Sequence, residues 1–283
     1  MAALVVVGAG VMVSPRRGAR SPVPEAVSAS PSDARRFWDG YRKAQESRAA
    51  GRLEEAISFY EDVLRLRPDH EDALYYRGNC AFDLGRYGDA SASYERLNRL
   101  NPSGSSRGYM QLGLLYASLD ERAPRDLIRA ERHLREALAV DPDSGAVLAL
   151  GEVALLRGDR AAARRLLGDA SSGDPMSLAA PYLLGYLAWE AGHDEEAWRL
   201  FRLAVSRGEM KKTALQWTEE GDLKADPRLR WAALARQSVT GRHWIRLRAY
   251  LEPPGPTPGD MRAEYARLRA VVSSATGGTA PSG

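Results

Sequence analysis

Cysteine is almost absent. Cys80 stands alone, so no disulfide can frame the fold and no pair of thiolates sits at zinc-site spacing. Histidine is scarce as well: His70, His133, His193 and His243 are scattered, and none is paired at the His-x-x-x-His spacing by which one helix holds a metal. Nor is there a long apolar run; Leu4 to Val13 has the length of a signal-peptide core and is too short to span a bilayer. A surplus of one charge is missing too, since 40 Lys+Arg against 37 Asp+Glu leave a net charge of +3. That balance lacks the basic field a nucleic-acid binder needs. The single cysteine fits a small buried helix position.

Catalytic signatures are equally thin. No Gly-x-Ser-x-Gly elbow and no phosphate loop occurs. Leu4–Gly10, LVVVGAG, has the opening of a dinucleotide fingerprint, but the third glycine is missing and no βαβ pattern follows. Glu54, Glu55, Glu195 and Glu196 fall in first turns of predicted helices, where carboxylates offset the helix dipole. These residues define no enzyme, no cofactor and no metal.

What the chain does have is repetition. A small residue recurs as Ala56, Ala90, Ala130, Ala163 and Ala197, at spacings of 34, 40, 33 and 34. A second set precedes it: Ala44, Gly78, Gly113, Gly151 and Gly185. Glycines at Gly51, Gly85, Gly158 and Gly192 mark turns between the two, and Pro68, Pro102, Pro142 and Pro175 each close a unit twelve residues after its alanine. Only the fifth unit has no proline, with Glu209 in its place. Small residues let two helices approach closely, glycine supplies the turn, and proline stops the second helix. A hairpin of this kind cannot bury both apolar faces alone, so the period predicts a stack.

These four landmarks, carried by stretches such as Glu71–Pro102, resemble tetratricopeptide repeats (TPRs), five of them over about residues 37–211. The resemblance implies an all-α fold: a right-handed α-solenoid of five helical hairpins with C-terminal capping helices. The expected organisation is a leader at 1–32, repeats at 33–211, capping helices at 212–251, and a Pro-rich linker, short helix and flexible tail at 252–283. Ser32 or Asp33 is the expected first cap, and Lys212–Trp217, Pro227–Gln237 and Arg242–Leu251 are the expected capping helices. Gly113 to Ala130 spans seventeen residues where the other repeats span twelve, so a five-residue insertion enlarges the third turn around Asp120–Asp126. The cytoplasm is the expected compartment; export through an atypical N-terminal signal is the alternative, as the arginines follow the apolar run instead of preceding it.

In this family the first helices line a concave groove that takes a peptide or a partner's helix. The matching positions here include Tyr41 and Gln45; Tyr75, Asn79 and Phe82; Met110 and Leu114; Leu148 and Glu152; and Tyr182, Tyr186 and Trp189. Such a groove is aromatic at both ends and aliphatic in the middle, which suits a protein or peptide partner with apolar or aromatic anchors. The clamp by which some relatives grip acidic chaperone tails is not reproduced: Tyr41, Gln45, Tyr76, Arg107 and Gln111 occupy its places, and the frame one repeat later matches no better. A competing arrangement has the chain's own C-terminal helices filling the groove and burying Tyr182, Tyr186 and Trp189 as core. Two further functions stay open: a small-molecule-binding accessory and a self-associating assembly factor. His70–Tyr87 and Gly151–Asp159, with the enlarged third repeat, are also similar to TPR proteins encoded beside β-propeller proteins of the ASPIC/UnbV type, some in natural-product (enediyne) gene clusters. That similarity implies a helper role in biosynthesis.

Overall fold

The computed structural model describes residues 30–143, 145–217, 235 and 238–276. Its helices pair in sequence: α1 (Pro31–Ala49) with α2 (Leu53–Leu66), α3 (Glu71–Asp83) with α4 (Tyr87–Leu100), and α5 (Arg107–Ala117) with α6 (Leu127–Val140). Next come α7 (Ala146–Leu156) with α8 (Arg160–Gly173) and α9 (Ala179–Glu190) with α10 (Asp194–Trp217). Each second helix also packs on the following first helix, so the hairpins form one continuous stack. This is the α-solenoid that the period predicts.

The predicted landmarks hold mechanically. Gly51, Gly85, Gly158 and Gly192 all have φ between 73° and 80°, the left-handed region where a side chain is strained. After each, the next residue's N–H reaches back five positions, as in Arg86 to the Ala81 carbonyl at 2.8 Å, which satisfies the helix end. Where glycine stands at the crossing there is no room for a methyl group: a Cβ on Gly78 would lie 2.5 Å from the Tyr94 ring, and one on Gly151 would lie 2.9 Å from Leu167. Ala56, Ala90, Ala130, Ala163 and Ala197 are all fully buried opposite them.

Proline sets the other end of each unit. The residues before Pro68, Pro102, Pro142 and Pro175 leave the helical region, with ψ between 72° and 106°, because the proline ring crowds the preceding residue. Where Glu209 replaces proline nothing stops the helix, and α10 runs on for 24 residues. Lys212–Trp217, expected as a separate capping helix, is the last part of α10, and the expected boundary at 211/212 lies inside it. The expected helix at Pro227–Gln237 lies almost wholly outside the described residues. Ser30, not Ser32 or Asp33, caps α1, its hydroxyl accepting from the Asp33 N–H at 3.1 Å.

The C-terminal part folds back. Residues 238–240 lead into a short helix, α11 (Gly241–Trp244), a 3-10 turn (Ile245–Tyr250) and α12 (Pro258–Ala275). The capping box at Thr257 and Asp260 starts α12. Glu264 of α12, 3% exposed, accepts from Arg246 at 2.9 Å, Arg267 at 2.7 Å and the Tyr250 hydroxyl at 3.0 Å, which joins the 3-10 turn to α12. The helix α12 packs on α7, α9 and α10, while α11 packs on α9.

Candidate functional site: a divided groove

The first helices contribute the expected residues, but the tail divides them into two groups. Toward the N-terminus the surface is half-open. Tyr41 receives a hydrogen bond from Gln45 at 2.9 Å, and the Gln45 carbonyl is held by Arg48 at 2.8 Å and 3.1 Å. Arg48 also lies over the Tyr76 ring at 4.5 Å, and Arg107 over Tyr75 at 4.8 Å. Phe82 meets Tyr87 edge-on at 5.5 Å. Asn79 accepts from the buried Tyr94 hydroxyl at 2.8 Å, so it ties the second hairpin together as well as facing its half-exposed neighbours. Tyr41, Gln45, Tyr75, Asn79 and Phe82 are all partly exposed, and Trp38 at the rim is 57% exposed.

Toward the C-terminus the same positions are closed. Tyr182 and Tyr186 are 1% and 0% exposed because Tyr265 of α12 inserts between them, with ring centroids 5.4 Å and 6.0 Å away. Trp189 is half-buried between Tyr265 and the Arg269 guanidinium, which sits 4.8 Å from its ring. These three residues, expected to face a partner, instead meet the protein's own tail, and for Tyr182 and Tyr186 the competing arrangement is the observed one. Met110 and Leu114, at 8% and 3% exposure, are nearly covered in the middle.

Glu152 lies at the centre of this closure and is fully buried. Its Oε1 accepts from the Ser238 hydroxyl at 2.5 Å, the Thr240 N–H at 2.9 Å and the Thr240 hydroxyl at 2.6 Å, while Oε2 accepts from the Val239 N–H at 2.9 Å. Trp244 donates its indole N–H to Ser238 at 2.8 Å, which extends the network by one step. Burial pushes the Glu152 carboxyl above the usual carboxylate range, and the four donors oppose that shift. The strap at 238–244 escapes period counting because its donors to Glu152 lie 86 to 88 residues further along the chain. One signal was available: Glu152 is the only charge in AVLALGEVALL, and a lone charge in an apolar helix needs donors from elsewhere.

Two clefts flank the strap. One, of about 370 Å³, runs past Tyr75, Arg107, Met110 and Leu148 to Trp244. The other, of about 500 Å³, lies between Phe82, Tyr87, Asp120, Arg242 and His243. Leu114 and Ser238 line both. The inserted loop of the third repeat forms part of the second wall. It does not bulge freely: Asp120 accepts from Arg122 at 2.8 Å, and the Arg122 guanidinium lies against Gly85 in the second repeat's turn.

Stacked helical hairpins with a concave face partly occupied by the chain itself define a helical-repeat scaffold. The family model described as tetratricopeptide repeat matches residues 41–105, and no curated protein matches in sequence. Among solved structures, MamA aligns at 25% identity over 60% of this chain and 96% of its own, with a TM-score of 0.50. TTC0263, a thermophilic TPR protein of Thermus thermophilus, aligns at 25% identity over 60% of this chain and 91% of its own, with a TM-score of 0.51. PilW, a type IV pilus biogenesis factor, aligns at 18% identity over 83% of this chain and 92% of its own, with a TM-score of 0.54, which shows the fold alone. Residues 41–105 carry the tetratricopeptide repeat match, and the stack as a whole has the fold of the TPR structures with which it aligns. No described helix is long and apolar enough to cross a membrane.

Proposed function

We propose that the protein is a non-catalytic adaptor that binds a peptide or protein segment through the half of its concave face left open by the tail. The observation that carries this is the contrast in burial. Tyr182 and Tyr186 are sealed by Tyr265, whereas Tyr41, Tyr75 and Phe82 stay partly exposed on the same helical face. Rings held in place by Arg48 and Arg107 lose little freedom on binding and supply large contact area. A partner segment with aromatic or aliphatic anchors matches this surface.

The test uses peptides selected from a random library on the full-length protein and assayed by fluorescence anisotropy. Tyr75→Ala combined with Phe82→Ala should weaken binding at least about tenfold, the scale of one lost hot-spot contact. The double variant should melt lower, because both rings pack against the core, but circular dichroism should show it still folded at the assay temperature. Unaltered affinity in a folded double variant would remove this half of the groove from the proposal.

A further inference from the structure

We propose that Glu152 is a docking point for a partner segment carrying a Ser-x-Thr-x-x-x-Trp pattern, and that residues 238–244 of this chain occupy it as an internal stand-in. The proposal rests on the adaptor reading and names the chemistry of the segment that would complete the groove. Three observations support it.

First, the contacts are those of a receptor and a ligand. Glu152 comes from the concave face of α7, and its four hydrogen-bond donors all come from one short stretch, Ser238 to Thr240. Two of the four are backbone N–H groups, which any polypeptide could supply; the Ser238 and Thr240 hydroxyls and the Trp244 indole add selectivity. Second, a buried carboxylate is selective: a segment lacking these donors would leave it desolvated and unpaired, so Glu152 discriminates between the segments that can lie on α7. Third, the strap lies between two clefts that share Leu114 and Ser238 as walls. Lifting the strap would merge them into one groove running from Phe82 past Leu114 to Leu148.

An incoming segment with the same donors replaces each hydrogen bond with its equivalent, and what it must overcome is the effective concentration of the tethered strap. The rest of the tail need not leave. Tyr265 and Leu268 hold α12 through separate, fully buried contacts.

The probe is a fluorescein-labelled synthetic peptide with the sequence of residues 235–247, added to the full-length protein. Ser238→Ala with Thr240→Val weakens the resident strap and leaves Glu152 in place. This variant should bind the peptide about 25-fold more tightly than wild type, because the competing intramolecular segment has lost two hydroxyl bonds. Adding Glu152→Ala should abolish binding, as should replacing the peptide's own serine and threonine. Equal affinity across the three proteins would overturn the proposal. So would a concentration-dependent dimer of the double variant in light scattering, which would make a second copy's strap the occupant. If the double variant loses helicity, Thr240→Val alone carries the test with an expected gain of about fivefold. The outcome is independent of the Tyr75 and Phe82 experiment: peptide binding at Glu152 without any effect of those two substitutions would retain this site and discard the open half.

Discussion

Gly185 and Tyr265 offer a sharp test of how the tail is seated. Tyr265 is fully buried among Tyr182, Tyr186, Trp189 and Phe201, and its hydroxyl has no hydrogen-bond partner among the described residues. That hydroxyl occupies the space where a Cβ on Gly185 would lie. Burying an unpaired hydroxyl costs about 1–3 kcal/mol, so Tyr265→Phe should stabilise the protein by about 1 kcal/mol once the small gap left behind is counted. Gly185→Ala should do the opposite. Overpacking costs about 1–3 kcal/mol and the gain in helix propensity returns only about 1 kcal/mol. With both substitutions the overlapping atom is gone. Only the contacts to the Ala197 carbonyl and the Leu200 Cβ, at 3.2 Å each, remain tight. The alanine should then cost less than about 1 kcal/mol, giving a coupling energy of about 1–2 kcal/mol between the two sites. Urea denaturation of the full-length chain, followed by circular dichroism and by tryptophan fluorescence, measures all four corners of the cycle. If Gly185→Ala costs the same in both backgrounds, the tail is not seated on α9 as described.

Three further outcomes are expected. Glu209→Pro restores the landmark missing from the fifth repeat; it should end α10 before residue 208, remove about ten residues of helical signal and cost about 3 kcal/mol, read by circular dichroism. Gly85→Ala forces a side chain into φ +73° and against the Arg122 guanidinium, and should lower stability by about 1–2 kcal/mol in a chemical melt, whereas alanine at the exposed Gly88, which has open space around it, should not. The buried Glu152 and the loop residue Asp120 should respond to pH in opposite directions. Glu152 has its folded pKa raised by burial, so its contribution is fully present below the unfolded value of about 4.3 and is lost as pH rises through the folded value. Asp120 is held well below the usual carboxylate range by Arg122, so its contribution is present above about 4 and is lost in acid. The stability of wild type relative to Glu152→Gln should therefore increase as pH falls from 7 toward 4.5, measured by urea titration at each pH. A difference that stays constant or shrinks would contradict the assigned burial.

The repeats were legible because their landmarks are local. Each turn glycine, each crossing glycine or alanine and each closing proline acts on residues within one hairpin, and a period of about 34 multiplies the signal. Even the exception could be interpreted in this way, as the missing proline at Glu209 marks the helix that does not stop. The groove was legible only as a helix face. Which half of that face is open depends on contacts between residues far apart in the chain, such as Tyr265 with Tyr182 and Glu152 with Ser238, and no spacing rule registers them.

The chain's own order of residues determined that its repeats are helical, that the helices pair, and where each pair turns and ends, since backbone angles and close crossings are set by neighbours a few positions away. Only the tertiary structure decided that aromatic rings at one end of the groove become core while those at the other remain accessible. Burial is a property of what comes to lie on a face, and here the covering residues arrive from a segment folded back across the stack.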